Sequence, residues 1–132
     1  MITKCYVIFF DDQKKKMSSH AALHAAHAAI IGPGLFWVGF APDTIPDAAY
    51  TGLLFLGVGM LAYHVYLAMQ KLAAERSAWV NWIHIFLVAP LLILVGYLKK
   101  DAARRYFEML MLLGFAATGY HAFYLIRDMM LE

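Results

Sequence analysis

Two stretches decide how this chain folds: HAAIIGPGLFWVG, residues 27–39, and HIFLVAPLLILVG, residues 84–96. Both read His-x5-Pro-x5-Gly, and neither holds an Asp, Glu, Lys or Arg. Each is followed by a second shared pattern, Gly-x5-Tyr-His, as GVGMLAYH at 57–64 and GFAATGYH at 114–121. One gapless offset of 57 residues brings His27 onto His84, Pro33 onto Pro90, Gly39 onto Gly96, Gly57 onto Gly114, and Tyr63-His64 onto Tyr120-His121. Leu35, Val38, Leu53 and Leu56 also fall on identical residues. Apolar composition produces chance matches of Leu on Leu or Ala on Ala. It does not hold His, Pro, Gly and Tyr in one register, so a tandem duplication is expected.

Working outward, each quoted stretch extends into a run long enough to cross a bilayer. Ser18 or Ser19 can cap a helix over residues 21–41, ended by Pro42. Further apolar runs cover 48–70, 79–98 and 106–126, and only the last holds a formal charge before its end, Glu108 in its first turn. About 20 helical residues span roughly 30 Å of hydrocarbon. Of the 132 residues, 63% are hydrophobic and 15% charged, where a soluble domain is nearer a quarter charged. Four runs without a polar face leave nothing to present to water. The expected fold is an all-α membrane protein of four transmembrane helices, antiparallel between neighbours because the loops are short. Two tandem helical-hairpin repeats, 18–70 and 75–127, enter the membrane in the same sense, related by a pseudo-two-fold along the membrane normal. Residues 128–132 form a short tail.

Residues 1–17 do not read as a signal peptide, since the short apolar run Tyr6 to Phe10 precedes Asp11, Asp12 and Lys14 to Lys16. They are expected at the membrane interface or packed on the outside of the bundle. An even number of spans puts both termini on one side. Lys and Arg number seven in the segments on the N-terminal side and four on the other, favouring cytoplasmic termini, although Lys99, Lys100, Arg104 and Arg105 oppose it. The net charge of +2, with its cations in short clusters, gives no continuous basic face for nucleic acid. The expected partners are the lipid bilayer and further copies of the chain. Cys5 is the single cysteine, so there is no internal disulfide and no cysteine metal site.

Helical rise of about 1.5 Å per residue puts His27 and His64 on the same side of the midplane, roughly 6–8 Å from it. His84 and His121 repeat that placement, giving one layer of four imidazoles, one per helix. His64 shares its helix face with Gly57, and His121 with Gly114 and Thr118, so a groove is expected beside each ring. Asn81, one turn before His84, is expected to orient that ring, and kinks at Pro33 and Pro90 to free carbonyls for the second N–H of His27 and His84. His20 and His24 fall on Ser77 and Asn81 in the second repeat and are read as interfacial or accessory.

An ionisable residue in hydrocarbon points to function by default. Neutral imidazole is a standard axial ligand of haem iron, and holds chlorophyll magnesium equally well. A macrocycle also needs glycine for access and an aromatic lining, which Gly57, Gly114, Tyr63 and Tyr120 supply. The expected function is therefore binding of a tetrapyrrole, haem b or a chlorophyll-type pigment, through His27, His64, His84 and His121, for electron transfer or light-energy binding. The alternative is a Zn, Cu or Ni ion on the same four histidines, or proton conduction through them. Enzymatic hydrolysis has no support, as there is no GxSxG or HExxH. A retinal protein needs a lysine within a span, and a potassium channel needs a TVGYG-like filter; neither is present.

Overall fold

A computed structural model describes residues 20–130; the expected interfacial segment 1–17 lies outside them. Among the described residues all regular structure is helical, and four helices are long and apolar enough to cross a membrane. They are α1 (His20–Phe40), α2 (Asp47–Ala73), α3 (Trp79–Asp101) and α4 (Arg104–Met130). At about 1.5 Å per residue even the shortest, of 21 residues, covers the hydrocarbon thickness. With large apolar side chains such as Phe86 (74%), Phe55 (70%) and Ile30 (68%) left exposed, the surface suits lipid rather than water. The chain is an integral membrane protein.

Local chemistry sets the helix boundaries. Pro42 cannot extend α1 and opens a 3-10 turn, Pro42–Thr44. Extended Pro46 precedes α2, whose first turn carries Asp47 against the positive helix end. Glu75 and Lys99, at φ 54 and 52, turn the chain after α2 and near the end of α3. Each of α1 and α3 is interrupted once, by a π-turn over His27–Ile31 and over His84–Val88. The cause is the proline that follows. Pro33 and Pro90 lack an N–H and crowd the carbonyl four residues back, and a widened turn relieves that crowding. Gly32 N–H then bonds His27 O, and Ala89 N–H bonds His84 O, five residues back in both cases.

The described residues divide into two compact units, one formed by 20–35 and 114–130, the other by 36–113. In the second unit Tyr50, Leu92, Val95 and Leu110 are fully buried. The Tyr50 hydroxyl donates to Pro42 O at 2.8 Å, which satisfies the one polar atom this ring brings inside. Glycine permits the close approach of the helices. A Cβ on Gly96 would strike the backbone of Leu54 and Tyr50 O, and one on Gly39 would strike Phe107 O and the Met111 backbone. With no hydrophobic force between helices in lipid, such van der Waals contact carries the association. In the first unit Gly32 meets Thr118 and Gly114 O in the same way.

Gly39→Ala and Gly96→Ala should each lose about 1–3 kcal/mol by overpacking. Gly52→Ala and Gly59→Ala, which face open space, should be neutral or slightly stabilising. Reversible unfolding in mixed detergent micelles measures all four, and equal effects at all four positions would contradict this packing.

Candidate functional site: two histidine pairs

The rotation of α1 and its π-turn set the site in the first unit. A helical side chain leans towards the helix N-terminus, so the His27 ring reaches back and its Nδ1 donates to Leu23 O at 2.9 Å. His121 of α4 stacks on it, with centroids 4.4 Å apart and planes at 29°. His24, one turn earlier on α1, places its Nδ1 2.8 Å from His121 Nδ1. The far side of His24 lies against Tyr124, 5.7 Å away and nearly parallel. Three imidazoles thus meet where Gly32 lets α1 and α4 close up.

In the second unit the same elements recur on α2 and α3. His84 Nδ1 donates to Val80 O at 2.8 Å. His64 of α2 stacks on His84 at 4.1 Å, with planes at 8°. The His64 Nδ1 donates to Asn81 Oδ1 at 3.4 Å. Asn81 is 2% exposed, and its Nδ2 has no hydrogen-bond partner among the described residues. All four paired imidazoles are half-buried.

Several expectations are corrected by this geometry. Asn81 bonds His64 across the helix contact and does not orient His84, because the lean of the His84 side chain commits its N–H to residue 80. The carbonyls receiving the His27 and His84 hydrogens belong to Leu23 and Val80, upstream of the rings, and are not those freed by Pro33 and Pro90. His24 is not merely interfacial, since it contacts His121 directly; only His20 stays at the exposed end of α1. The space beside Gly57 is filled by Leu92 and Ile93, with contacts of 2.9–3.0 Å to a Cβ placed there, and Gly114 O abuts Gly32. Both glycines bring helices together and leave no open groove. Tyr63 and Tyr120 stand edge-on to His64 and His121, at 5.4 and 5.2 Å, with 58% and 38% of their surface exposed. They flank the rings and turn outward.

The missed residue, His24, had a signal. The offset of 57 sets it on Asn81, a polar residue on a polar residue in register, which a search for identical pairs discards. Among the described residues no three or more His, Cys, Asp or Glu side chains gather as a metal-ion site. No protein family, curated protein or solved structure matches this chain, so its chemistry has to be read from the residues themselves.

The stacked pairs should be energetically coupled. Double-mutant cycles with alanine for His64 and His84, and separately for His27 and His121, should give coupling of about 0.5–1.5 kcal/mol in unfolding. Additivity within about 0.3 kcal/mol in both cycles would mean that the rings do not pair.

Proposed function

We propose that this protein is a membrane tetrapyrrole carrier, a b-type haem protein of electron transfer, in which His27 with His121 and His64 with His84 each supply two imidazoles to one macrocycle. The observation that carries this reading is the donor count. Each pair supplies two imidazoles, and among the described residues no group of three or more His, Cys, Asp or Glu could hold a metal ion. A bare zinc or copper ion needs three or four protein ligands and would bring uncompensated charge into hydrocarbon. A haem brings four nitrogens and a charge-compensating ring of its own, so only its axial positions remain for protein. Bound there, it would supply a one-electron couple.

The fit is good in donor type and tautomer, and incomplete in spacing. His27 and His84 donate from Nδ1, so their Nε2 carries the lone pair that ligates. The rings now stack face to face, 4.1 and 4.4 Å between centroids, whereas an imidazole ligates through a nitrogen lone pair in the plane of its ring. The proposal therefore requires the two rings of each pair to part and to turn until a nitrogen of each faces the metal. A π-turn at each ligand, a feature frequent at functional sites, gives the helix a place to yield.

The reading includes the tandem repeat and its pseudo-two-fold along the membrane normal. Supporting it, the π-turns, the carbonyl acceptors Leu23 and Val80, and the ring partners His121 and His64 are each 57 residues apart. The contacts of Gly39 with Phe107 and Met111 likewise match those of Gly96 with Tyr50 and Leu54. Cytoplasmic termini, favoured by the seven Lys and Arg on the N-terminal side against four on the other, and a homo-oligomer within the bilayer are part of the proposal. Proton conduction is the second reading, favoured only by the 2.8 Å contact of His24 with His121. Asn81, in the corresponding place, has no titrating nitrogen.

Expressed in cells making haem and purified in mild detergent, the protein should show a Soret band with α and β bands on reduction. His27→Ala, His121→Ala, His64→Ala and His84→Ala should each lower bound haem per chain by about half, and His20→Ala should leave it unchanged. A red band near that of chlorophyll would replace haem by a pigment. A flat visible spectrum, or loss only in His20→Ala, would overturn the tetrapyrrole reading.

A further inference from the structure

A π-turn holds one residue more than the α-turn it replaces, and that extra residue sets which face the preceding helix shows its neighbour. In α1 the Gly32 N–H bonds His27 O, where an unbroken α-helix would bond Ala28 O. Converting this turn to α would move everything before it by one residue. Residues 20–27 would turn by about 100° and shift by about 1.5 Å along the axis. Each place on the helix surface would then pass to the next residue in sequence. The places of His20, His24 and His27 would pass to Ala21, Ala25 and Ala28. Every histidine of α1 is followed by alanine, so the face that now meets His121 would carry only small side chains.

The same conversion in α3 meets a different sequence. There the Ala89 N–H bonds His84 O, and a shift of one residue would pass the places of Asn81 and His84 to Trp82 and Ile85. Asn81 is 2% exposed, and its place cannot take an indole without overpacking. Ile85 would also leave its cluster with Ala68, Ala78 and Leu61. No residue of the first π-turn is buried, whereas Ile85 and Val88 of the second are.

We infer that the π-turn at His27–Ile31 is a rotary switch that withdraws His24 and His27 from His121, and that its counterpart at His84–Val88 is locked. In the turned state His24 and His27 take the places of Leu23 and Ala26, both exposed. The His27 hydrogen bond survives, because its acceptor Leu23 O belongs to the same turning segment. The contacts given up are the stack of His27 on His121 and those of His24 with His121 and Tyr124. His24 stands one turn from the start of the span at His20, so its ring reaches the polar layer from the new face. Pro33 holds the switch in the π state, since an α-turn would drive its ring against Ala29 O. The first pair thus opens while the second stays closed, and the motion needs no bound group.

The test is solid-state NMR of the full chain in lipid bilayers, labelled with 13C,15N-histidine, reading ring-to-ring contacts within each pair. The unsubstituted protein should show His27 against His121 and His64 against His84. Pro33→Ala removes the bias towards the π-turn and should abolish the His27–His121 contact. Pro90→Ala should keep the His64–His84 contact. Deleting Ala29 in the Pro33→Ala chain returns residues 20–27 to their original places and should restore the lost contact, which a general loss of stability would not allow. A contact kept in Pro33→Ala, not restored by the deletion, or lost equally in Pro90→Ala would overturn the inference. Should Pro33→Ala fail to fold, the unsubstituted protein decides. Microsecond-to-millisecond exchange should broaden the His24 and His27 rings and spare His84, and Ala28→Leu, which blocks the turned state, should remove that exchange. Exchange absent from His27, equal at His84, or unchanged in Ala28→Leu would overturn the switch.

Discussion

A neutral imidazole inside hydrocarbon has one N–H to place and only protein to place it on. Both histidine pairs are organised around that constraint. His27 and His84 place theirs on their own helices, four residues back, at Leu23 and Val80. The partner rings meet instead a side chain on the neighbouring helix, His121 sharing a hydrogen with His24 and His64 donating to Asn81. That reach demands helices in close contact, and the glycines and alanines around each pair provide it: Gly32 in one unit, and Gly57 with the fully buried Ala89 in the other. The prolines that follow complete the arrangement, each with a π-turn before it at the pinned ring.

The spans were legible in the sequence because a charge-free run of some 20 residues has one stable solution in a bilayer. The expected runs 21–41, 48–70, 79–98 and 106–126 all lie within the observed helices to a residue or a few. The four paired histidines were legible because they recur in register. What the sequence left open depends on direction and on depth of packing. Spacing put Asn81 one turn from His84, yet the lean of a helical side chain aims the two residues at different partners. Gly57 and Gly114 read equally well as a groove or as a contact, and only the neighbouring Leu92, Ile93 and Gly32 decide for contact. The π-turns follow from Pro33 and Pro90, but a proline in a membrane helix is as compatible with a simple kink.

The outer surface tells the same story from the other side. Trp37, Phe55, Phe86 and Phe115 each expose more than half of their area, whereas the ion pairs, Lys99 with Asp47 and Arg104 with Glu108 among them, stand at helix ends. Such exposed pairs contribute little to stability. Their use is to keep the helix ends in the polar layer while apolar side chains meet lipid. Inside, the histidine pairs with His24 and Asn81 form two polar clusters, and the Tyr50 hydroxyl is held by Pro42 O. A polar cluster within hydrocarbon is costly to maintain unless it has a task, and paired imidazoles would suit a metal that brings the rest of its ligands with it.

The claim at the centre of this account is that two imidazoles share each metal. Low-temperature electron paramagnetic resonance of the oxidised, haem-loaded protein tests it most directly, because the number of strong axial ligands sets the spin state of ferric iron. The account predicts a low-spin signal of the bis-imidazole type, lost for one haem when either member of a pair is replaced by alanine. A high-spin ferric signal in the unsubstituted protein would mean a single axial histidine, and would contradict it.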